Sequence, residues 1–139
     1  MSLQVKIIGS SHAGANVAFN LRRDGFQGDI ESISTESFPP YHRPPLSKDF
    51  LKGKTEKEKL AFKPEAFYAD NQISLTLDTE VFSIDRASKT IETAQGTSAY
   101  DFLVLCTGSS PRKLNLDNAD LPEVLYLGDL QDAESLITK

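Results

Sequence analysis

The chain has 139 residues, 39% of them hydrophobic and 25% charged, with a formal net charge of -5. That is near the size of one domain, with enough apolar material for a core, and the acidic balance argues against wholesale nucleic-acid binding. No apolar run approaches the roughly 20 residues of a membrane span, and the single cysteine, Cys106, allows neither an intrachain disulfide nor a redox-active pair, as expected of a reducing cytoplasm.

The first residues run straight into a strand pattern and carry no signal-peptide signature. The apolar residues Val5, Ile7 and Ile8 end at Gly9, after which Ala13, Val17, Ala18 and Leu21 recur at helical spacing. The pattern predicts a helix from about His12 to Asp24, closed by Gly25, with Arg22 and Arg23 at its negative end. A strand, a tight glycine turn and a helix N-terminus in that order suit a dinucleotide pyrophosphate. Gly9 can take the turn, and Gly14 lets the helix pack close to the strand. Ser11 stands where the middle glycine of G-x-G-x-x-G is expected, so the loop by itself also fits an ordinary strand-turn-helix.

Asp29 to Ser34 is the second strand. Glu36, roughly 20 positions beyond Gly14, sits where a carboxylate can accept hydrogen bonds from ribose hydroxyls. Glu31, inside the strand, is the weaker candidate, and a solvated loop acid is the plain alternative for Glu36. From Phe38 to Lys48 four prolines exclude helix until about Leu46, and a short helix is expected from Leu46 to Leu51. The stiff segment can hold Arg43 and Lys48 in fixed places. Between Arg43 and Lys63 seven basic residues stand against three acidic ones. This is either a face for an anionic cofactor or acidic partner or a merely solvated surface.

Lys63 to Asn71 reads as a short helix with Pro64 in its first turn, and Ile73 to Leu77 as a strand. Glu80 to Asp85, Thr90 to Thr93 and Ser98 to Tyr100 form an antiparallel meander, turning at Asp85 to Ser88 and at Gln95-Gly96. The apolar run Phe102 to Leu105 predicts a strand buried on both faces. It leads into a second glycine loop, Cys106-Thr107-Gly108, that continues to Arg112. Asn115 to Glu123 is a polar loop, Val124 to Leu127 a further strand, and Asp129 to Lys139 a helix. The fold expected is therefore α/β and Rossmann-like. Its parallel sheet carries Val5 to Ile8, Ile30 to Ser34 and Phe102 to Leu105, and the meander crosses over it in a three-layer ββα arrangement.

Three stretches carry a resemblance: I-I-G-S-S-H-A-G-A-N-V-A-F-N-L-R-R-D-G-F-Q-G-D-I, then P-Y-H-R-P-P-L-S-K, then Y-D-F-L-V-L-C-T-G-S-S-P-R. In this order and spacing they resemble the N-terminal part of FAD-dependent ferredoxin reductases of the putidaredoxin and rhodocoxin reductase type, within the pyridine nucleotide-disulfide oxidoreductase class. Cys106 departs from the alanine of that class's A-T-G motif, and Ser11 from its second glycine. The resemblance implies that Gly9, Ser11, His12, Ala13 and Gly14 line the FAD pyrophosphate and that Glu36 holds the adenosine ribose. Val81 would contact the adenine through its backbone, while Thr107, Gly108 and Arg112 close the second junction. Arg43 and Lys48 would approach the flavin, Lys48 as the catalytic cation near its reactive nitrogen.

Gly128-Asp129 resembles the class's late glycine-aspartate pair, but it reads instead as the segment leading into the NAD domain. The resemblance further implies that 1–139 is the N-terminal part of an FAD/NAD(P)-binding domain, with the NAD domain, a return segment and the C-terminal domain absent. In the parent, NAD(P)H would reduce FAD, which would return electrons to an iron-sulfur, ferredoxin-like protein. The chain alone is expected to be inactive and to dimerise through exposed apolar surface. No metal site, nucleic-acid partner or membrane partner is implied. Two other readings stay open. One is a stand-alone nucleotide-binding module without catalysis. The other is a relative such as an NADH oxidase, a rubredoxin reductase or an apoptosis-inducing-factor-like protein, and the lack of an early cysteine counts against oxygen- and peroxide-reducing types.

Overall fold

A computed structural model describes residues 2–138. They form two compact units. One takes the chain up to Tyr41 together with Phe62–Gly108; the other takes His42–Ala61 and the chain from Ser109.

The first unit holds β1 (Gln4–Ile8), α1 (His12–Arg23), β2 (Asp29–Ile33), α2 (Glu65–Asp70) and β3 (Ile73–Thr76). It continues with β4 (Val81–Asp85), β5 (Thr90–Thr93), β6 (Gly96–Ala99) and β7 (Phe102–Leu105). Four strands form a parallel sheet in the order β3-β2-β1-β7, with Val5 level with Ile30 on one side and Phe102 on the other. Successive side chains alternate between faces. Val5, Ile7, Ile30 and Ile73 thus share one face, where they pack with Ala18 of α1 and Tyr68 of α2. Each such apolar side chain contributes about 1.5–3 kcal/mol on burial. Arg22 closes the end of α1. It donates to the carbonyls of Asn71 (2.7 Å), Phe26 (2.7 Å), Gly28 (2.8 Å) and Gln72 (2.6 Å), tying the helix to the loops that enter β2 and β3.

The meander β4-β5-β6 is antiparallel and occupies the connection from β3, at one sheet edge, to β7, at the other. Asp85 accepts from the backbone N–H groups of Ala87 (2.8 Å) and Ser88 (3.1 Å), which forms the expected turn. The last meander strand begins at Gly96 rather than Ser98. Gly96, at φ 118°, enters the ladder at once opposite Thr93, so the turn is shorter than the sequence suggests. A larger correction concerns β7. It is not buried on both faces: Phe102 is 56% and Leu105 60% exposed, since the described residues leave both side chains largely uncovered, and the strand is an edge that pairs among them only with β1.

In the second unit, 3-10 turns at Pro44–Ser47 and Lys57–Leu60 precede α3 (Leu130–Ile137). The expected helix over Leu46 to Leu51 is instead a 3-10 turn that starts on the prolines themselves. A missing N–H does no harm at the first helical positions. Lys48 and Phe50 then both donate to the Pro45 carbonyl (2.9 and 3.1 Å), and the chain continues as turns. Val124 to Leu127 forms no strand, since no partner strand lies beside it among the described residues. The Tyr126 hydroxyl instead accepts from the Leu114 N–H at 2.9 Å. Asp129 caps α3 reciprocally with Asp132. Leu46, Phe50, Leu60, Leu130 and Ala133 are buried. The expected end of that helix, Lys139, lies outside the described residues. No helix among the described residues is long and apolar enough to cross a membrane.

Candidate functional site

The strand order places the candidate site. The chain lays down β1, β2 and β3 outward in one direction, then returns to place β7 on the other side of β1. Order therefore reverses between β1 and β7, and in open α/β sheets ligands bind outside the carboxyl ends of the strands at such a switch point. Gly9 follows β1 directly into that position. At φ 104° it adopts a backbone conformation that only glycine takes easily, and a Cβ there would lie 2.0 Å from the Cys106 carbonyl oxygen. Its own N–H donates to the Ile33 carbonyl at 2.8 Å, and the Cys106 N–H donates to the Ile8 carbonyl at 2.7 Å. The ends of β2, β1 and β7 thus meet at one glycine.

Gly14 closes the turn from the helix side. A Cβ on it would sit 1.8 Å from the Gly9 carbonyl oxygen and 3.2 Å from the Ile7 side chain. Only glycine lets α1 approach this near. The approach brings the first turn of α1 over the strand end, where the positive end of the helix dipole favours an anion. Ser11 is the extended N-cap residue of that helix, and His12 its first residue, exposed, with its ring edge-on to Phe62 at 4.7 Å. Ala13 is exposed. Ser10, which the motif leaves undefined, is buried, and its hydroxyl shares a 2.7 Å hydrogen bond with the Ser32 hydroxyl of β2. This contact pins the loop to the sheet, and only the three-dimensional register could have revealed it.

Glu36 lies just beyond β2, half-buried. Its N–H donates to the Ser34 hydroxyl (3.1 Å) and its carbonyl accepts from the Asp78 N–H (3.2 Å). The Tyr41 hydroxyl donates to its carboxylate at 2.5 Å. Glu31 is otherwise engaged. On the sheet it pairs with Lys6 of β1, and its other oxygen accepts from the Thr76 hydroxyl of β3 at 2.6 Å. Burial by itself raises the Glu31 carboxyl. The Lys6 ammonium and the Thr76 hydroxyl outweigh it and hold the group below the ordinary carboxylate value. Glu31 is therefore a structural acid in a three-strand network, and the signal for it was a lysine inside the apolar strand V-K-I-I.

Val81 opens β4 and is half-buried, while Thr107 and Gly108 follow β7, both exposed, with Gly108 at φ 67°. The first unit thus brings together Gly9, Ser11, Gly14 and Thr107 at the switch point, with Glu36 at the end of the neighbouring strand. Arg43, Lys48 and Arg112 belong to the second unit. There Arg43 donates to the Gly128 carbonyl at 2.8 Å, while Lys48 and Arg112 are exposed. Asp129 and Asp132 cap α3 between them, and Asp132 also accepts from the Gly128 N–H at 2.7 Å. Gly128 and Asp129 thus take part in the N-terminal cap of α3.

The family described as pyridine nucleotide-disulphide oxidoreductase matches residues 3–139. A rubredoxin-NAD(+) reductase of Pseudomonas putida is 42% identical over 138 residues, 99% of this chain and 36% of that protein. The crystal structure of a ferredoxin reductase for the CYP199A2 system from Rhodopseudomonas palustris superposes with a TM-score of 0.91 at 42% identity, over 97% of this chain and 33% of the other. A covalent putidaredoxin reductase-putidaredoxin complex gives a TM-score of 0.88 at 36% identity, with the same coverage of 97% and 33%. The chain thus spans about a third of the length of the relatives it matches.

Proposed function

The chain belongs to the pyridine nucleotide-disulphide oxidoreductase family, and from that premise we propose that it is the FAD-binding N-terminal portion, residues 1–139, of an NAD(P)H-dependent flavoprotein reductase whose electrons pass to an iron-sulfur protein. The observation that carries this reading is the glycine turn at the β1–β7 switch point. Two positions there admit no Cβ, the first turn of a helix lies over the strand end, and an acid stands at the end of the next strand. That donor set fits a dinucleotide: N–H groups and a helix dipole for the pyrophosphate, a carboxylate for ribose hydroxyls.

Gly9, Ser11, His12, Ala13 and Gly14 line the pyrophosphate in this reading. Glu36 takes the adenosine ribose, the Val81 backbone meets the adenine, and Thr107 and Gly108 close the second junction. Arg112 closes that junction with them, and Arg43 and Lys48 serve the flavin end. A fixed cation beside the flavin favours negative charge on the ring, the role proposed for Lys48. FAD, when bound, supplies the exchange between a two-electron nicotinamide donor and a one-electron acceptor. The chain's own residues bind and orient it. The likeness to a rubredoxin-NAD(+) reductase favours a second reading of the acceptor, a rubredoxin in place of a ferredoxin-like protein. Cytoplasmic residence belongs to the same proposal and rests on the single cysteine.

Amide shift mapping by NMR during titration with ADP tests the site. The reading predicts saturable binding that moves the amides of Gly9 to Gly14 and of Glu36. Saturable binding that leaves these amides still, or no saturable binding, contradicts it.

A further inference from the structure

We infer that Tyr41 is a positioning residue for the nucleotide site, and that its hydroxyl fixes the Glu36 carboxylate for an adenosine ribose. The inference rests on the reading of Glu36 given above and adds to it a residue that the dinucleotide pattern does not contain.

Tyr41 is only 3% exposed, yet its hydroxyl reaches the half-buried Glu36 carboxylate at 2.5 Å. A buried tyrosine normally finds a hydrogen-bond partner, and here the partner is the one acid at the end of β2. The ring is itself anchored. It meets Phe38 edge-on at 5.9 Å, and the preceding Pro40 is fully buried, its carbonyl accepting from the Phe62 N–H at 2.9 Å. The Glu36 backbone is held from both sides, by the Ser34 hydroxyl and by the Asp78 N–H. Three rotatable side-chain bonds remain between that fixed backbone and the carboxylate, and the Tyr41 hydroxyl restrains them.

A carboxylate has lone pairs for about four hydrogen bonds, and the one from Tyr41 uses a single one of them. A carboxylate already fixed in one rotamer loses less conformational freedom when the nucleotide arrives. Tyr41 therefore acts through Glu36 and on the ribose alone. The pyrophosphate contacts at Gly9 to Gly14 do not depend on it.

This predicts a specific signature in binding. Dissociation constants of the whole chain are measured for ADP and for 2′,3′-dideoxy-ADP, which lacks both ribose hydroxyls. The wild-type chain should prefer ADP by about tenfold, the worth of a hydrogen bond to a charged group. Tyr41→Phe keeps the buried ring and should lower that preference several-fold while leaving dideoxy-ADP affinity unchanged. Glu36→Gln should lower it too, and adding Tyr41→Phe to Glu36→Gln should change nothing more. Equal weakening of both nucleotides by Tyr41→Phe would mark the tyrosine as merely structural and overturn the inference. So would an undiminished preference for ADP. A wild-type chain that binds both nucleotides alike removes the ribose role of Glu36 itself, and with it the inference.

Discussion

A Cβ on Gly14 would stand 1.8 Å from the Gly9 carbonyl oxygen, a backbone atom that cannot swing aside. Gly14→Val should therefore separate α1 from the end of β1 and destabilise the fold by roughly 1–3 kcal/mol, read from a chemical denaturation curve. Gly9 and Gly14 were legible in the sequence because their spacing encodes a steric need. Tyr68 was not. Its hydroxyl is buried without a hydrogen-bond partner among the described residues, and burial pushes its pKa up to about 12. Because the folded value is raised, ionisation costs the fold nothing below the ordinary 10, and stability falls as pH climbs from there toward 12. Tyr68→Phe removes an unpaired polar atom and should be neutral or stabilising by about 1 kcal/mol. It should also abolish this tyrosine's share of the alkaline loss, seen as a flatter melting-temperature profile above pH 10. Whether a hydroxyl finds a partner depends on tertiary neighbours, which no local pattern reports.

At the level of elements, Lys6, Glu31 and Thr76 join three adjacent strands on one face of the parallel sheet. The depressed Glu31 carboxyl stabilises the fold above its ordinary value of 4.5, and that contribution is lost as pH falls through the folded value. Glu31→Gln should lower the melting temperature at neutral pH and flatten its fall in acid below pH 4.5. An acid profile identical to wild type would show that the network does not support the sheet. The strands themselves were readable: Val5, Ile7 and Ile30 give the alternation, and β2 follows at the predicted place. β7 was not readable in full. An apolar run such as Phe102 to Leu105 signals a central strand by composition, but whether a neighbour covers its second edge depends on topology alone. Val124 to Leu127 shows the same limit, as apolar residues without a partner strand stay irregular.

At the scale of the molecule, the chain matches about a third of the length of its relatives, and several large apolar residues stand exposed, among them Phe102, Leu105, Leu114, Leu116 and Leu121. We propose that further chain of the parent reductase covers the flavin end of the site. The adenosine half, at Gly9, Gly14 and Glu36, is by contrast built within one unit. FAD should then be held chiefly by the part it shares with ADP. Hydrogen bonds worth about 1 kcal/mol each, and the ring's apolar burial, would be missing from the isolated chain, enough to remove most of a nanomolar affinity. The direct test is a titration of the purified chain with FAD, followed by flavin fluorescence and then by competition with ADP. The account predicts a dissociation constant weaker than about 1 µM and full displacement of the flavin by ADP. Binding tighter than that, undisturbed by ADP, would contradict it.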